Sequence, residues 1–331
     1  MNMLLPRQRL MVLLNEVYYS GGNIIEVSYP PLDLLYSITL GERCRLSILN
    51  KTEYNEKRID TIKTIGESGK EIPNFNSYID TITASGILPP KNAKEIETAI
   101  NEKCMRDIFK GDKMLFIGFD TNILMLRQNR MIIDIYRNRG GICLSYLLSR
   151  ELARKWDRKY RFEDLQNLHP QMAFMENFPN QPVLSARAAR LGSVEYRLIR
   201  NNPHTREIMT GDGADLEIVS SYKKFERDND VDVVLVSGDM NFAGMARDAH
   251  MNVIQVKKQT DASQRIEIDW EQAAELIYTS AITYGYVSLN GMDIYGIWTG
   301  KTDDDWNAEN LSITLEGELA RKIKRDMEIL Q

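Results

Sequence analysis

Acidic side chains follow two apolar segments whose composition is typical of buried strands. Asp120 comes directly after the segment 114–119, and Asp239 lies three residues after the β-branched segment 231–236. In an open parallel sheet, ligands bind beyond the carboxyl ends of the strands, so both side chains are expected at a binding edge. Two facing carboxylates repel each other at neutral pH, and a divalent cation relieves that repulsion. The pattern therefore favours a metal site between the two aspartates.

Two further acids lie between these strands in the chain and complete a predicted acidic pocket. Glu151 stands on the helix predicted after the second strand, and Asp215 stands at the start of a later helix, with Asp212 as the competing residue. Oxygen donors without His or Cys favour Mg²⁺ or Mn²⁺ over zinc. Sites of this class carry out phosphoryl chemistry, in which a metal-activated water attacks phosphorus. The alternative for each acid alone is a turn or helix-cap residue, and it is the ordered set of four that favours a site.

Alternating strands and helices position these acids. Short apolar runs separated by amphipathic segments predict a three-layer α/β/α domain with a central parallel sheet and right-handed crossovers over residues 111–258. An N-terminal α+β section (1–110) without a predicted role precedes it. A small β-rich C-terminal section (259–331) follows, with a helix and a hairpin indicated by Asn290-Gly291.

Composition sets limits on the class of protein. A chain of 331 residues with 43% hydrophobic and 27% charged residues is typical of folded domains. Three widely spaced cysteines argue against a disulfide framework, and no long apolar run predicts a membrane span or a secretory signal. We therefore expect a cytoplasmic protein.

The net charge is −5, yet residues 121–211 hold 15 Lys and Arg against 8 Asp and Glu. Such a basic region can attract phosphate groups.

Four motifs together resemble those of the PIN-domain nucleases and the related NYN domains. They are Phe-Asp-Thr-Asn-Ile-Leu at 119–124, the spacing of Ser145 and Glu151, the Asp-Leu-Glu-Ile helix start at 215–218, and Ser-Gly-Asp-Met-Asn-Phe at 237–242. The resemblance covers 112–258 and implies a PIN-like fold, with two departures. Asn241 stands where an acid is frequent in the family, and the stretch 157–211 is longer than compact members need.

The resemblance implies a metal-dependent (Mg²⁺ or Mn²⁺) nuclease, more specifically a ribonuclease acting on single-stranded RNA. It implies hydrolysis without a covalent intermediate, and many relatives form homodimers. By analogy, the metal-binding acids are Asp120, Glu151, Asp215 and Asp239, with Asp212 or Asn241 as further ligands. Thr121, Asn122 and Ser237 are implied to orient the carboxylates.

The basic region gains a role from this resemblance. Arginines on two predicted helices could hold phosphates on either side of the cleaved bond: Arg150, Arg154, Arg187, Arg190 and Arg197. The alternative is a pair of exposed helices whose arginines pair with acids.

Two other functions remain open at this point. One is a catalytically inactive RNA-binding or assembly module with the same fold. The other is a haloacid-dehalogenase-like phosphatase, which also begins with an Asp after a strand. That family carries a second acid two residues later, where this chain has Asn122.

Overall fold

The computed structural model describes residues 2–137, 139–209, 215–315 and 317–329. The chain forms two compact units. The first unit comprises 1–88, 158–187 and 260–331, and the second unit comprises 89–157 and 188–259. This division differs from the three consecutive sections predicted from the sequence, because the two ends of the chain fold together.

The elements are numbered along the chain. The strands are β1 (Asn2–Pro6), β2 (Ile24–Tyr29), β3 (Asp33–Thr39), β4 (Cys44–Ile48), β5 (Leu115–Phe119), β6 (Gly141–Ser145), β7 (Thr205–Ile208), β8 (Asp232–Ser237), β9 (Asn252–Gln255), β10 (Arg265–Ile268), β11 (Tyr286–Leu289), β12 (Met292–Tyr295) and β13 (Asn310–Thr314). The α-helices are α1 (Leu10–Tyr19), α2 (Lys51–Ile65), α3 (Phe75–Ala84), α4 (Ala93–Lys103), α5 (Thr121–Met125), α6 (Asn129–Tyr136), α7 (Tyr146–Trp156), α8 (Leu184–Arg200), α9 (Asp215–Asp228), α10 (Met240–Asp248), α11 (Trp270–Tyr284), α12 (Asp303–Asn307) and α13 (Gly317–Ile329). Within the described residues, no helix is both long and apolar enough to cross a bilayer.

The first unit is built on an eight-stranded antiparallel sheet in the order β1-β13-β12-β11-β2-β3-β4-β10. Strands from both ends of the chain are interleaved in it, since β11 pairs with β2 and β10 pairs with β4. The predicted separate C-terminal β-rich section is therefore wrong. The predicted hairpin is confirmed, because Leu289 pairs with Met292 around Asn290 and Gly291, which have φ of 47° and 82°.

The segment 158–187 also belongs to the first unit, which accounts for the extra length noted in the sequence. Arg187 is 2% exposed in this unit. Its guanidinium donates to the carbonyl oxygen of Thr283 at 2.8 Å and to the hydroxyl of Tyr160 at 2.9 Å. The prediction that Arg187 contacts phosphates is therefore wrong, because this buried group is used in packing the segment against α11.

The second unit is built on a five-stranded parallel sheet in the order β7-β6-β5-β8-β9, flanked by helices. This confirms the expectation of an α/β domain with a central parallel sheet. Strands form at the predicted segments 114–119 and 231–236, within one residue of those bounds. The sequence pattern did not predict β7, because this strand has only four residues and only Ile208 among them is buried.

The order of the strands reverses between β5 and β8. The chain leaves β5 toward β6 and β7, and later returns to add β8 and β9 on the other side. Ligands in open α/β sheets bind where the order reverses in this way, beyond the carboxyl ends of the strands. We call the end of the sheet formed by the last residues of these strands the carboxyl edge: Phe119, Ser145, Ile208, Ser237 and Gln255.

A buried tyrosine of α9 ties two strands together at this edge. The hydroxyl of Tyr222 donates to the carbonyl oxygen of Phe119 at 2.9 Å and accepts from the backbone N–H of Ser145 at 3.3 Å. Its ring packs on β5 at Gly118, where an added Cβ would lie 2.7 Å from it. Tyr222 is fully buried, whereas Leu216 on the same helix is 61% exposed.

Candidate active site

Asp120 occupies the reversal point of the parallel sheet. It follows β5 directly, its N–H donates to the carbonyl oxygen of Val236 at 3.0 Å, and the residue is only 5% exposed. Its Oδ2 accepts hydrogen bonds from the hydroxyl of Ser237 at 2.8 Å and from the side-chain amide of Asn122 at 3.4 Å. Two of the residues predicted to orient carboxylates thus contact this one.

The Asp120 carboxyl titrates well above an ordinary aspartate. The pKa of Asp120 is raised from 3.8 to about 6, chiefly by burial and to a smaller extent by the negative charges of Glu151 and Asp239, while hydrogen bonds from the Ser237 hydroxyl and the Thr121 backbone oppose the rise. Like charges act in this way only at short range. Three of the four predicted acids therefore share one electrostatic environment.

Glu151 is held on α7 beside Asp120. Ser145 caps this helix, and its side chain accepts a hydrogen bond from the N–H of Leu147 at 3.3 Å. The Glu151 carboxylate accepts a short hydrogen bond from the hydroxyl of Thr121 through Oε2. Its Oε1 lies 2.6 Å from the Nζ of Lys155, one helical turn further on. Both carboxylate oxygens of Glu151 therefore have donors within the protein.

Asp239 begins α10. Its Oδ1 accepts the N–H of Asn241 at 2.7 Å and that of Phe242 at 3.3 Å, which is the geometry of an N-cap. Its own N–H donates to the hydroxyl oxygen of Ser237 at 2.9 Å. Ser237 thus links Asp239 to Asp120 through a single hydroxyl group. Asn241, predicted as an auxiliary ligand, is exposed and contacts Asp239 through its backbone.

The structure describes the two candidates for the fourth acid, Asp215 and Asp212, to different extents. Asp215 is the first residue of α9, but its side chain lies outside the described part of the chain. Asp212 lies outside the described residues altogether.

The carboxylates are directed at protein donors in this arrangement. Over the described ranges, no three His, Cys, Asp or Glu side chains are placed so that they could hold a metal ion. No family model and no curated protein matches the chain. The donor atoms near Asp120 are of the kind that a hard cation prefers. They are carboxylate and hydroxyl oxygens, and the negative charge of the buried Asp120 carboxylate is itself disfavoured.

The remaining predicted arginines lie on α7 and α8. Arg150 and Arg154 are exposed on the helix that carries Glu151. Arg190 is half-buried, with its guanidinium carbon 3.7 Å from the centroid of the Trp156 ring, and Arg197 is also half-buried. Arg150 and Arg154 are therefore the two best placed to meet a ligand in solution.

Sequence reasoning missed several residues near the site. Lys155 could have been found from its i,i+4 spacing to Glu151. Tyr146 follows β6 directly and Met240 lies three residues after β8, and both side chains are exposed near the carboxyl edge. Nothing in their spacing signals this, since large apolar residues at helix starts are usually packed inside.

Proposed function

We propose that the chain is a Mg²⁺- or Mn²⁺-dependent nuclease that hydrolyses phosphodiester bonds at the carboxyl edge of the second unit. Its metal-binding side chains are Asp120, Glu151 and Asp239, with Asp215 as the fourth by its position in the chain. The proposed substrate is RNA, preferably single-stranded, a preference that comes from the resemblance to PIN-domain nucleases.

One observation carries the proposal. Asp120 is a carboxyl at a sheet reversal point whose pKa is raised first by burial and then by two neighbouring carboxylates. Three anions are costly to hold together, and Lys155 offsets the charge of one of them, Glu151. A divalent cation relieves that cost, and the resulting site class performs phosphoryl chemistry.

The protein's own residues have distinct roles in this proposal. Ser237 fixes the separation of Asp120 and Asp239 by binding both, and Thr121 holds one oxygen of Glu151. The backbone N–H groups that Asp239 caps keep its carboxylate from rotating. When bound, the cation would supply Lewis acidity toward the phosphate and lower the pKa of water.

The surroundings of the acids favour a polymer over a small phosphate ester. Exposed Arg150 and Arg154 can contact phosphates that flank the cleaved bond. Exposed Tyr146 and Met240 offer apolar surface on which unpaired bases can stack or pack. The phosphatase reading lacks its second acid, because Asn122 occupies that position and its amide donates to Asp120.

The test is metal-dependent cleavage of an end-labelled single-stranded RNA. We expect cleavage with Mn²⁺, none with EDTA, and a loss of at least about 100-fold in the Asp239→Asn variant, because removing one anion weakens the site but Asn still caps α10. Asp269→Asn is the matched control, since Asp269 caps α11 in the first unit. It should keep full activity. Equal cleavage by the wild type and Asp239→Asn would refute the assignment.

A non-catalytic RNA-binding module is the second candidate. It is favoured by the observation that Asp120, Glu151 and Asp239 each already accept hydrogen bonds from protein groups. Salt-sensitive RNA binding without cleavage at saturating Mn²⁺ would select it.

A further inference from the structure

Lys155 is a cation already inside the proposed metal site. Its Nζ lies 2.6 Å from Oε1 of Glu151, and the two side chains are 40% and 16% exposed. Thr121 binds the other oxygen of the same carboxylate. The charge of Glu151 is therefore neutralised by a lysine and fixed by a hydroxyl group.

A lysine in this position has a direct consequence for a metal ion. A cation ligated by Glu151 needs one of its oxygens, and Oε1 is occupied by the ammonium group. The two positive charges would also repel each other at ligand distances. Lysine is suited to exchange, because its ammonium is a point charge on a flexible stem.

Resting on the proposed function, we infer that Lys155 is a built-in counter-cation that competes with the divalent metal for Glu151. With little metal present, Lys155 holds Glu151 and keeps the site closed to the ion. When metal binds, the ammonium group moves off Oε1 and is freed for solvent or a substrate phosphate. Lys155 therefore sets the metal concentration at which the site fills.

The chain offers a closely matched control. In the same unit, Nζ of Lys223 lies 2.6 Å from Glu226 on α9, and these side chains are 42% and 14% exposed. This pair lines a cavity at the opposite end of the sheet, beside Asp232 and Asn252, the first residues of β8 and β9. Removing Lys223 therefore changes the charge of the unit equally without touching the acidic site.

The experiment is calorimetric titration of the whole chain with Mn²⁺. We expect Lys155→Met to lower the dissociation constant about fivefold, which corresponds to about 1 kcal/mol. Lys155→Arg should bind Mn²⁺ no more tightly than wild type, and Lys223→Met should match wild type. Circular dichroism checks that each variant is folded.

The alternative results are distinct. Unchanged or weaker binding in Lys155→Met overturns the inference alone, while leaving the proposed metal site in place. Equal tightening in Lys155→Met and Lys223→Met also overturns it, since the effect is then one of net charge. No Mn²⁺ binding by wild type or by Lys155→Met overturns the proposed function and the inference with it.

Discussion

At the scale of single residues, the chemistry of the site depends on Asp120. Its place after an apolar strand is visible in the sequence, and so is the chemistry of a carboxylate there. Its burial and its raised pKa are not visible, because they depend on Ser237, Glu151 and Asp239 being brought to it from three other parts of the chain. Sequence reasoning therefore found the acid but could not find the electrostatic cost of keeping it charged.

The cost of keeping Asp120 ionised can be measured through the free energy of unfolding. The folded pKa of Asp120 is about 6, above the unfolded value, so its ionised form destabilises the fold at pH 7.5. This penalty disappears as the pH falls through 6 toward 4, because the folded state then binds the proton. We expect Asp120→Asn to raise the free energy of unfolding at pH 7.5 by up to about 3 kcal/mol and to have little effect at pH 4.5.

Urea denaturation in EDTA at the two pH values makes this measurement. Exposed Asp248→Asn in the same unit is the control and should change little at either pH. A loss of stability in Asp120→Asn at pH 7.5 would contradict the account.

At the scale of elements, strand β5 is set by its contact with α9. The run Leu115–Phe119 is buried at every position, as its apolar composition predicts. The need for Gly118 was not predictable, because it arises from the ring of Tyr222, a residue more than 100 positions later. The sequence pattern predicts strand β5, whereas the side chain that packs against it is determined by the tertiary structure.

Two glycine substitutions should have opposite effects on stability. In Gly118→Ala, the new Cβ would lie 2.7 Å from Tyr222 and 2.8 Å from Leu235, so we expect a loss of about 1–3 kcal/mol. In Gly244→Ala on α10, the new Cβ meets open space, so we expect a gain of up to about 1 kcal/mol. Thermal unfolding of both variants tests the packing. An unchanged stability of Gly118→Ala would show that the Tyr222 ring does not pack tightly against β5.

At the scale of the whole molecule, the parallel sheet was predictable and the division into units was not. Strands β5 and β8 of the second unit arise from local apolar runs, which are visible in the sequence. The antiparallel sheet of the first unit pairs β2 with β11 and β4 with β10, over more than 200 residues of chain. No local pattern encodes such pairing. Arg187 was misassigned for the same reason, since its partner Thr283 lies 96 residues away.

The proposed nucleic-acid surface makes a prediction at this scale. Replacing Arg150 and Arg154 together with alanine should weaken binding of single-stranded RNA and flatten its salt dependence by about 1.4 in the log–log slope, if each contacts one phosphate. The matched control replaces Lys224 and Arg227, which are exposed beside the cavity at the opposite end of the sheet. Fluorescence anisotropy over a range of KCl concentrations makes the measurement. Equal effects of the two double variants would mean that only net charge matters.

The most direct test of the central claim is a crystal structure with Mn²⁺, read by anomalous scattering. We expect an anomalous peak ligated by Asp120, Glu151 and Asp239 at the carboxyl edge, with Nζ of Lys155 displaced from Glu151. A saturated crystal with no peak there, or with manganese bound only at other surfaces, would contradict the claim.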